Sequence, residues 1–406
     1  MPFVSIVVPT RNRPDFVRCA LQSILNQTFA DFEVIVVDNH TGTPCRAAFD
    51  SVADERFRYV VPERPLSMCD NWEFGCRQAT GDYVAVVIDK TVLRRTALEV
   101  LHTLAGTFSA DLVSWRADAF RPRHFSDAFG PGTCYPWPEA MRAPQLFDPH
   151  QELARRFRMD VRRGTEGERY FWGKICFGAF RRDLLDRIAA AAGRVFFPLT
   201  PDYTSMLAAL ALAKTPVDAG QSCLIQNITQ ISTGWNVAHR PDQSLSFLLD
   251  NDPSGAILNE LPIPGLYTAV HNIVAHDYVT SQRRLGSHFP HVQLDNANLA
   301  LRAAEDLQDV EWSELQVREQ QHALLRQFLA RATTSEAADL ERDVQRYAAA
   351  AKRARARQRI RSVLQRVPLG EAVLHLPRGR IVDLLTGGTA ASNAIRVSSV
   401  IAAANA

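Results

Sequence analysis

Three short apolar runs in the first ninety residues each end abruptly in polar or charged side chains. None of the runs alternates between apolar and polar residues, which is typical of strands covered on both faces in a parallel sheet. In an open α/β sheet, ligands bind outside the carboxyl ends of such strands. The polar set at these ends suits a nucleotide with a diphosphate. The runs span residues 4–9, 32–37 and 83–88, and the polar residues that follow them include Thr10, Arg11, Asp38 and Asp89.

Helical patterns separate these runs, so the sequence predicts an α/β fold with a mostly parallel sheet flanked by helices. Pro14 begins the first helical pattern, since proline is favoured at the first residue of a helix. A second helix is predicted over residues 71–79, and a further strand over residues 112–115. The stretch 121–149 is rich in Pro, Gly and aromatic residues, and we expect it to be an irregular loop.

The later part of the chain changes character. Beyond about residue 260 the pattern is helical throughout, and residues 346–366 contain eight basic residues and no acidic one. The tail is small and polar, which is typical of a poorly ordered terminus. The sequence therefore predicts three parts. They are a domain over residues 1–250, a helical C-terminal region over residues 251–386 and a flexible tail over residues 387–406.

Composition limits the partners and the cellular compartment of the protein. A formal net charge of +2 gives no global attraction to nucleic acid. Seven scattered cysteines without regular spacing indicate reduced thiols, and so a cytoplasmic protein. No apolar run reaches the roughly 18–20 residues that span a bilayer. The basic stretch 352–361 predicts either a peripheral contact at the inner face of the membrane or simply a solvated helix face.

The opening segments resemble family-2 glycosyltransferases, the inverting enzymes built on the GT-A fold. Residues 4–13 read VSIVVPTRNR, and residues 21–29 and 32–38 continue the resemblance in order. The resemblance covers residues 3–245, and it implies sugar transfer from a UDP-sugar to a hydroxyl of a saccharide or glycolipid acceptor. Such enzymes commonly serve bacterial surface polysaccharide or glycoconjugate synthesis. The helical C-terminal region would then supply acceptor, homo-oligomer or membrane-surface contacts.

The resemblance also assigns residues to the donor nucleotide. It implies that Asp38 reads the uracil edge through a carboxylate that accepts the base N–H, while an Asx turn at the strand end is the alternative. It implies that Asn71 opens the helix that closes over the nucleoside, and a simple N-cap is the alternative. The remaining nucleotide-lining positions that it implies are Pro9, Thr10, Arg11, Arg13 and Asp89.

One departure from the family pattern concerns the metal. The segment that ends in Asp89 normally carries an Asp-x-Asp signature that holds Mg²⁺ or Mn²⁺ against the diphosphate. Here Lys90 and Thr91 stand where acids are usual. Three alternatives follow: a metal held weakly by Asp89 alone, a lysine that takes over part of the metal's task, or lost activity. We predict the second, and hence metal independence with Lys90 as a catalytic residue. His239 is a separate candidate, as a metal ligand or a phosphate donor.

A second departure concerns the general base. The resemblance implies that Asp202 deprotonates the acceptor hydroxyl, although Pro201 replaces the usual first acid of the pair. The alternative is a carboxylate that only stabilises a helix N-terminus. Three aromatic side chains are candidates for stacking on sugar rings, with packing as their alternative. These are Trp172, Trp235 and Tyr203. A nucleotide-sugar-binding protein without catalysis and a scaffold protein are the rival functions.

Overall fold

The computed structural model of the 406-residue chain describes residues 1–39, 42–52, 54–124, 126–137, 141–159, 167–330 and 395–397. Within these ranges, the strands form one mixed sheet with helices packed against it, so the predicted α/β class is confirmed. The strands are β1 (Val4–Thr10), β2 (Phe32–Asp38), β3 (Phe57–Val60), β4 (Tyr83–Val86), β5 (Thr91–Leu93), β6 (Leu112–Pro122), β7 (Gly132–Tyr135), β8 (Gln145–Leu146), β9 (Gly178–Arg181), β10 (Pro216–Asn227) and β11 (Ile395–Val397).

The N-terminal half of the sheet is parallel. Strands β3, β2, β1 and β4 lie side by side in that order, with Thr10 directly opposite Asp38 at the carboxyl ends of β1 and β2. Beyond β4 the sheet becomes mixed, because β9 pairs antiparallel with both β4 and β6. Strand β10 runs parallel to β6 and antiparallel to β5. The predicted binding edge therefore belongs to the parallel half.

Most of the helices carry an apolar stripe that packs on the sheet or on a neighbouring helix. In the first of them, Pro14 occupies the first turn as predicted, and Phe16, Val17 and Leu21 are buried. The helices are α1 (Pro14–Leu25), α2 (Arg46–Asp50), α3 (Met68–Arg77), α4 (Ala97–Phe108), α5 (Pro149–Phe157), α6 (Arg182–Ala192), α7 (Pro201–Leu212), α8 (Thr233–His239), α9 (Pro241–Asn251), α10 (Ile257–Glu260), α11 (Val270–Leu285), α12 (Asn296–Asp309) and α13 (Leu315–Leu329).

Helix α3 approaches the sheet very closely. A Cβ atom at Gly75 would lie 2.5 Å from Val7 Cγ1 and 2.7 Å from Val37 Cγ2, so a larger residue would push the helix away. The helix begins at Met68, three residues before the predicted start, and Ser67 caps it by accepting a hydrogen bond from the Asp70 N–H. This close packing brings the first turn of α3 beside the carboxyl ends of β1 and β2.

The stretch 121–149 is more regular than predicted. Strand β7 pairs antiparallel with β6, and β8 pairs antiparallel with β10. The expectation of an irregular loop is therefore wrong for these segments. Strand β8 has only two residues and a partner about 70 residues away, and β7 is a four-residue strand between Pro131 and Pro136 in a Pro- and Gly-rich stretch, so neither leaves a clear local signal.

The helices after residue 260 pack on the same core as the sheet. Leu266, Tyr278, Leu299 and Leu325 belong to one cluster of buried side chains together with Val4 of β1. The predicted helical pattern is confirmed through α13. The basic stretch 352–361 and all but three residues of the predicted flexible tail lie outside the described residues. No helix in the described ranges is long and apolar enough to cross a membrane.

Candidate functional site

Side chains from the ends of β1 and β4 bond to each other at the binding edge. Thr10 Oγ1 donates a hydrogen bond of 3.0 Å to Asp89 Oδ2, and Arg13 Nη1 lies 3.2 Å from Asp89 Oδ1. Asp89 is 4% exposed, so both carboxylate oxygens are held by protein donors in a nearly water-free position. The structure thus brings together three of the predicted nucleotide-binding residues.

The turn between β1 and α1 is fixed by an asparagine. Asn12 has a φ of +60°, a left-handed conformation that asparagine tolerates better than most residues. Its Oδ1 accepts a 3.0 Å hydrogen bond from the Thr43 N–H. Pro9 is buried in the strand, whereas Arg11 is exposed beside the turn. Arg11 is therefore free to meet a ligand from the solvent side.

The segment before α8 closes the same end of the site. Arg13 Nη2 donates a 2.8 Å hydrogen bond to the Ile231 carbonyl, and the Asn227 N–H donates a 2.9 Å bond to the Lys90 carbonyl. One guanidinium therefore links the turn after β1, the end of β4 and the segment that leads into α8.

Asp38 is held through one of its two carboxylate oxygens. Oδ2 accepts a 2.8 Å hydrogen bond from the Cys45 N–H and a second bond from the Tyr59 hydroxyl. Burial and the bond to Asp38 raise the pKa of Tyr59 well above its ordinary value, so the phenol stays protonated and donates. Oδ1 is buried and has no hydrogen-bond partner among the described residues. Asp38 is therefore anchored to the protein through Oδ2, and its role toward the donor base stays a prediction.

The side chain of Asn39 connects the end of β2 to the segment that leads into α3. It bonds to Leu66 in both directions, with Nδ2 donating to the carbonyl and Oδ1 accepting from the N–H, each at 2.9 Å. A cleft of about 340 Å³ opens beside Leu66. Its charged lining residues are Arg64, Asp70, Arg194 and Asp250.

Asn71 is buried on α3, and its Oδ1 has no hydrogen-bond partner among the described residues. The alternative in which Asn71 caps the helix is wrong, because Ser67 is the cap.

Asp202 lies on the second residue of α7, directly after Pro201, and its side chain is 29% exposed. Its Oδ2 lies 3.6 Å from Lys174 Nζ, and the lysine side chain is completely buried. Burial alone would lower the pKa of Lys174, but the neighbouring Tyr170 and Asp202 outweigh it and raise the pKa. The candidate base therefore has one side toward solvent and the other against a buried cation.

Two buried carboxylates hold the segment that leads into α7. Glu73 Oε2 accepts hydrogen bonds from the Val195 and Phe196 N–H groups at 3.0 and 3.1 Å. Asp277 Oδ2 accepts a 2.8 Å bond from the Thr200 N–H and another from the Thr200 hydroxyl. Asp202 is thus positioned from α3 on one side and from α11 on the other.

Lys90 and Asp202 both influence the pKa of the buried Cys176 thiol. Burial strongly raises the pKa of Cys176, Asp202 raises it further, and the positive charges of Lys174 and Lys90 oppose this effect. The short helical turn Ile175–Phe177, which contains Cys176, contacts both β4 and α7. The structure brings the end of β4 and the start of α7 to one region.

The predicted metal ligands do not form a cluster. His239 Nδ1 contacts the Trp235 carbonyl at 2.8 Å, and the His239 ring stacks on Trp235 at 4.4 Å. Within the described ranges, no group of three or more His, Cys, Asp or Glu side chains could hold a metal ion. Because Thr10 and Arg13 already bond to Asp89, the described donor set does not fit a divalent ion.

The three aromatic candidates differ in accessibility. Trp172 is 7% exposed and stacks on Phe147 with ring centroids 4.4 Å apart, so it is a packing residue here. Trp235 is half-buried, and the Arg240 guanidinium lies 5.3 Å from its ring centroid. Tyr203 is half-buried beside Asp202, and its ring lies 3.8 Å from Lys174 Nζ. Tyr203 and Trp235 remain candidates for acceptor contact.

Several residues that shape the site were not found from the sequence. The sequence offered one indication that Lys174 is unusual, since it is one of four lysines in an arginine-rich chain. Tyr59, Glu73 and Asp277 gave none, because their partners are distant in sequence.

The α/β fold and the polar residues at the carboxyl ends of its parallel strands agree with a glycosyltransferase domain. Residues 5–117 match the model of Glycosyl transferase family 2, so the chain carries a domain of this family. The predicted family and enzyme class are thereby confirmed for this domain, and its α/β architecture agrees with the predicted GT-A fold.

Two curated relatives share this N-terminal part. A GalNAc(5)-diNAcBac-PP-undecaprenol beta-1,3-glucosyltransferase of Campylobacter jejuni is 32% identical over 104 residues, which are 25% of this chain and 34% of that protein. Glycosyltransferase GlyG of Streptococcus pneumoniae is 26% identical over 114 residues, 27% of this chain and 37% of that protein. The chain therefore spans about a third of the length of each relative.

Among solved structures, TarS 1–349 of S. aureus in complex with UDP-GlcNAc is 14% identical, with a TM-score of 0.46. The match covers 84% of this chain and 90% of that one. The mannosyltransferase PcManGT of Pyrobaculum calidifontis, in complex with GDP-Man and Mn²⁺, is 16% identical, with a TM-score of 0.39 over 81% and 86% of the two chains.

Proposed function

We propose that this chain is an inverting glycosyltransferase that moves a sugar from a UDP-sugar to a hydroxyl acceptor. The acceptor is a saccharide or glycolipid, and the reaction serves bacterial surface polysaccharide or glycoconjugate synthesis on the cytoplasmic side of the membrane. The observation that carries the proposal is the partly exposed Asp202 at the start of α7, a helix that contacts the turn Ile175–Phe177 beside β4. A carboxylate in that position completes a donor site with a base.

The geometry of Asp38 supports uracil as the base of the donor nucleotide. Uracil presents one N–H between two carbonyl groups, whereas guanine presents two adjacent N–H donors that match both oxygens of a carboxylate. Because Tyr59 and the Cys45 N–H already bond to Oδ2, Asp38 has one buried oxygen left to accept. A single acceptor fits uracil better than guanine.

The chemical step is one displacement. Asp202 takes the proton from the acceptor hydroxyl while the hydroxyl oxygen forms a bond to the anomeric carbon. The bond from that carbon to the diphosphate oxygen breaks, and its electron pair leaves with UDP. Attack from the face opposite the leaving group inverts the anomeric carbon. Lys90 and Arg11 are the cations that meet the developing charge, since Arg13 is paired with Asp89.

The test combines donor binding with product stereochemistry. A panel of UDP- and GDP-sugars is screened by thermal shift, since a ligand that binds the folded state raises the melting temperature. The donor that binds is then incubated with simple glycoside acceptors, and the anomeric configuration of the product is read by NMR. UDP-selective binding with an inverted product supports the proposal. A retained configuration contradicts the mechanism, and binding without transfer to any acceptor contradicts the activity.

A nucleotide-sugar-binding protein without catalysis is the second candidate. It is favoured by Lys90 and Thr91, which stand where the family usually has acids. Donor hydrolysis in the absence of acceptor separates the two candidates, because a pure binding protein releases no free sugar.

A further inference from the structure

Lys174 is a buried cation with an unusual environment. Its side chain is 0% exposed, and its Nζ has no hydrogen-bond partner among the residues that the structure describes. Taking an ammonium out of water without hydrogen bonds is costly, so such a residue needs compensating contacts. The described contacts are two aromatic rings and one carboxylate. Nζ lies 3.9 Å from the Tyr170 ring centroid, 3.8 Å from that of Tyr203, and 3.6 Å from Asp202 Oδ2.

We propose that Lys174 is a positioning residue for the general base, holding the Asp202 carboxylate in place and in its ionised form. This inference rests on the proposed function, because it assigns Asp202 the task of accepting a proton. The aromatic rings fix the ammonium from two sides, since cations are attracted to ring faces. Lys174 then presents its charge to the rear of Asp202, while the exposed side of the carboxylate meets the acceptor.

Among the described residues, other titratable groups also interact with the charges of Lys174 and Asp202. Arg156 of α5 opposes the positive charge of Lys174, and Cys176 favours it. The raised pKa of Lys174 means that the lysine stays charged in the working range of an enzyme. Asp202 in turn acts on the buried thiols of Cys69 and Cys176, both of which have raised pKa values and remain neutral. Lys174 is therefore the charged group with a described contact to the carboxylate.

The pH profile of turnover tests this inference. In Lys174→Met the chain keeps a similar length and loses the charge, so a proton leaves Asp202 less readily. The acidic limb of the kcat profile should move to a pH higher by about one unit or more. At pH values below the limb, turnover should be roughly tenfold lower than in the wild type for each unit of this displacement. The KM for the donor should stay unchanged, because the contacts of Lys174 lie at the base rather than at the nucleotide.

The matched control is Lys214→Met, the same substitution at an exposed lysine. Its profile should coincide with that of the wild type. A Lys174→Met enzyme that loses turnover uniformly across the pH range, without movement of the acidic limb, overturns the positioning role. If Lys174→Met does not fold, Tyr170→Leu removes one ring that holds the ammonium. It should move the limb in the same direction by a smaller amount, and an unmoved limb overturns the proposal.

Failure of the proposed function is distinguishable from failure of this inference. If the wild type transfers no sugar, the function is wrong, and the pair is tested by a double-mutant cycle in chemical unfolding. Lys174→Met should destabilise the wild type more than it destabilises Asp202→Asn, because it leaves a carboxylate without its cation. Equal losses in the two backgrounds mean that the residues are not coupled and overturn the inference.

Discussion

Thr10 donates to Asp89 across the gap between the ends of β1 and β4, at 3.0 Å. Arg13 bonds to the second oxygen of the same carboxylate. The acid that the family pattern assigns to a metal is thus already neutralised by a guanidinium of its own chain. Because this pair carries no net charge, the positive charge that meets the donor diphosphate has to come from other side chains, and Lys90 is a candidate.

Transfer should be largely retained in excess chelator on metal-stripped protein. Lys90→Ala should reduce turnover by about 10²–10³-fold, as expected for loss of one group that stabilises a leaving group. Lys214→Ala is the control for loss of a lysine charge elsewhere. Abolition of transfer by chelator, with full rescue by magnesium or manganese, would contradict metal independence.

Asp202→Asn should reduce turnover by about 10²–10⁴-fold while donor binding is preserved, because the amide cannot accept the acceptor proton. Helix α9 supplies a matched control, since Pro241 and Asp242 repeat the Pro-Asp start of α7. Asp242→Asn should cost similar helix stability and leave turnover unchanged. Steady-state kinetics and thermal melts on both variants decide between base and helix stabiliser. Equal turnover in the two variants would assign Asp202 to the helix terminus.

Asp38→Ala should weaken UDP binding by about 1.5–3 kcal/mol, the usual worth of a hydrogen bond to a charged group. The loss should appear in donor affinity more than in turnover at saturating donor. Calorimetry measures it directly, with Asp50→Ala, an exposed aspartate at the end of α2, as the control. Tyr59→Phe removes one of the two donors to the second oxygen of Asp38 and so gives this oxygen room to accept another bond, and we expect it to reduce the preference for UDP over GDP. Unchanged UDP affinity in Asp38→Ala would exclude this carboxylate from the donor site.

The pairing of α11 with α12 should depend on pH. His271 Nδ1 lies 2.8 Å from Asp306 Oδ1. Burial alone would lower the pKa of His271, but Asp306 outweighs it and raises the pKa above 6.5. The stabilisation is therefore complete below the ordinary histidine pKa and is lost as the pH rises through the folded-state value.

His271→Gln should lose about 1 kcal/mol of unfolding free energy at pH 6 and clearly less at pH 9. Urea unfolding at the two pH values measures the difference, and the exposed His291→Gln is the control. An equal loss at both values would mean that the histidine charge contributes nothing.

The sequence predicted the first strands of the parallel half well because their signals are local. A run such as 32–37 and the polar residue that ends it can be read without knowing its neighbours, and β2 ends at Asp38 as expected. The parallel pairing of β1 and β2 then brings Thr10 and Asp38 together without further information.

The region around Asp202 and the strand β10 were less predictable from the sequence. Strand β10 was missed because its sequence, PVDAGQSCLIQN, has no apolar run and its pairing with β6 shifts register between Asp218 and Ser222. The burial of Lys174 has no local signature, since its partner Asp202 lies on a different helix. The anchor of Thr200 is 77 residues away in the chain.

The hydrogen bonds that Thr200 donates to Asp277 have a consequence for how the protein is made. A chain leaves the ribosome N-terminus first, and domains fold in that order. The strands with Thr10, Asp38 and Asp89 can assemble while α11 is still being synthesised. The start of α7 cannot reach its final position until Asp277 has emerged. If the proposed function holds, the nascent protein gains the site for the donor before it gains the base, so nucleotide binding precedes catalytic competence during synthesis.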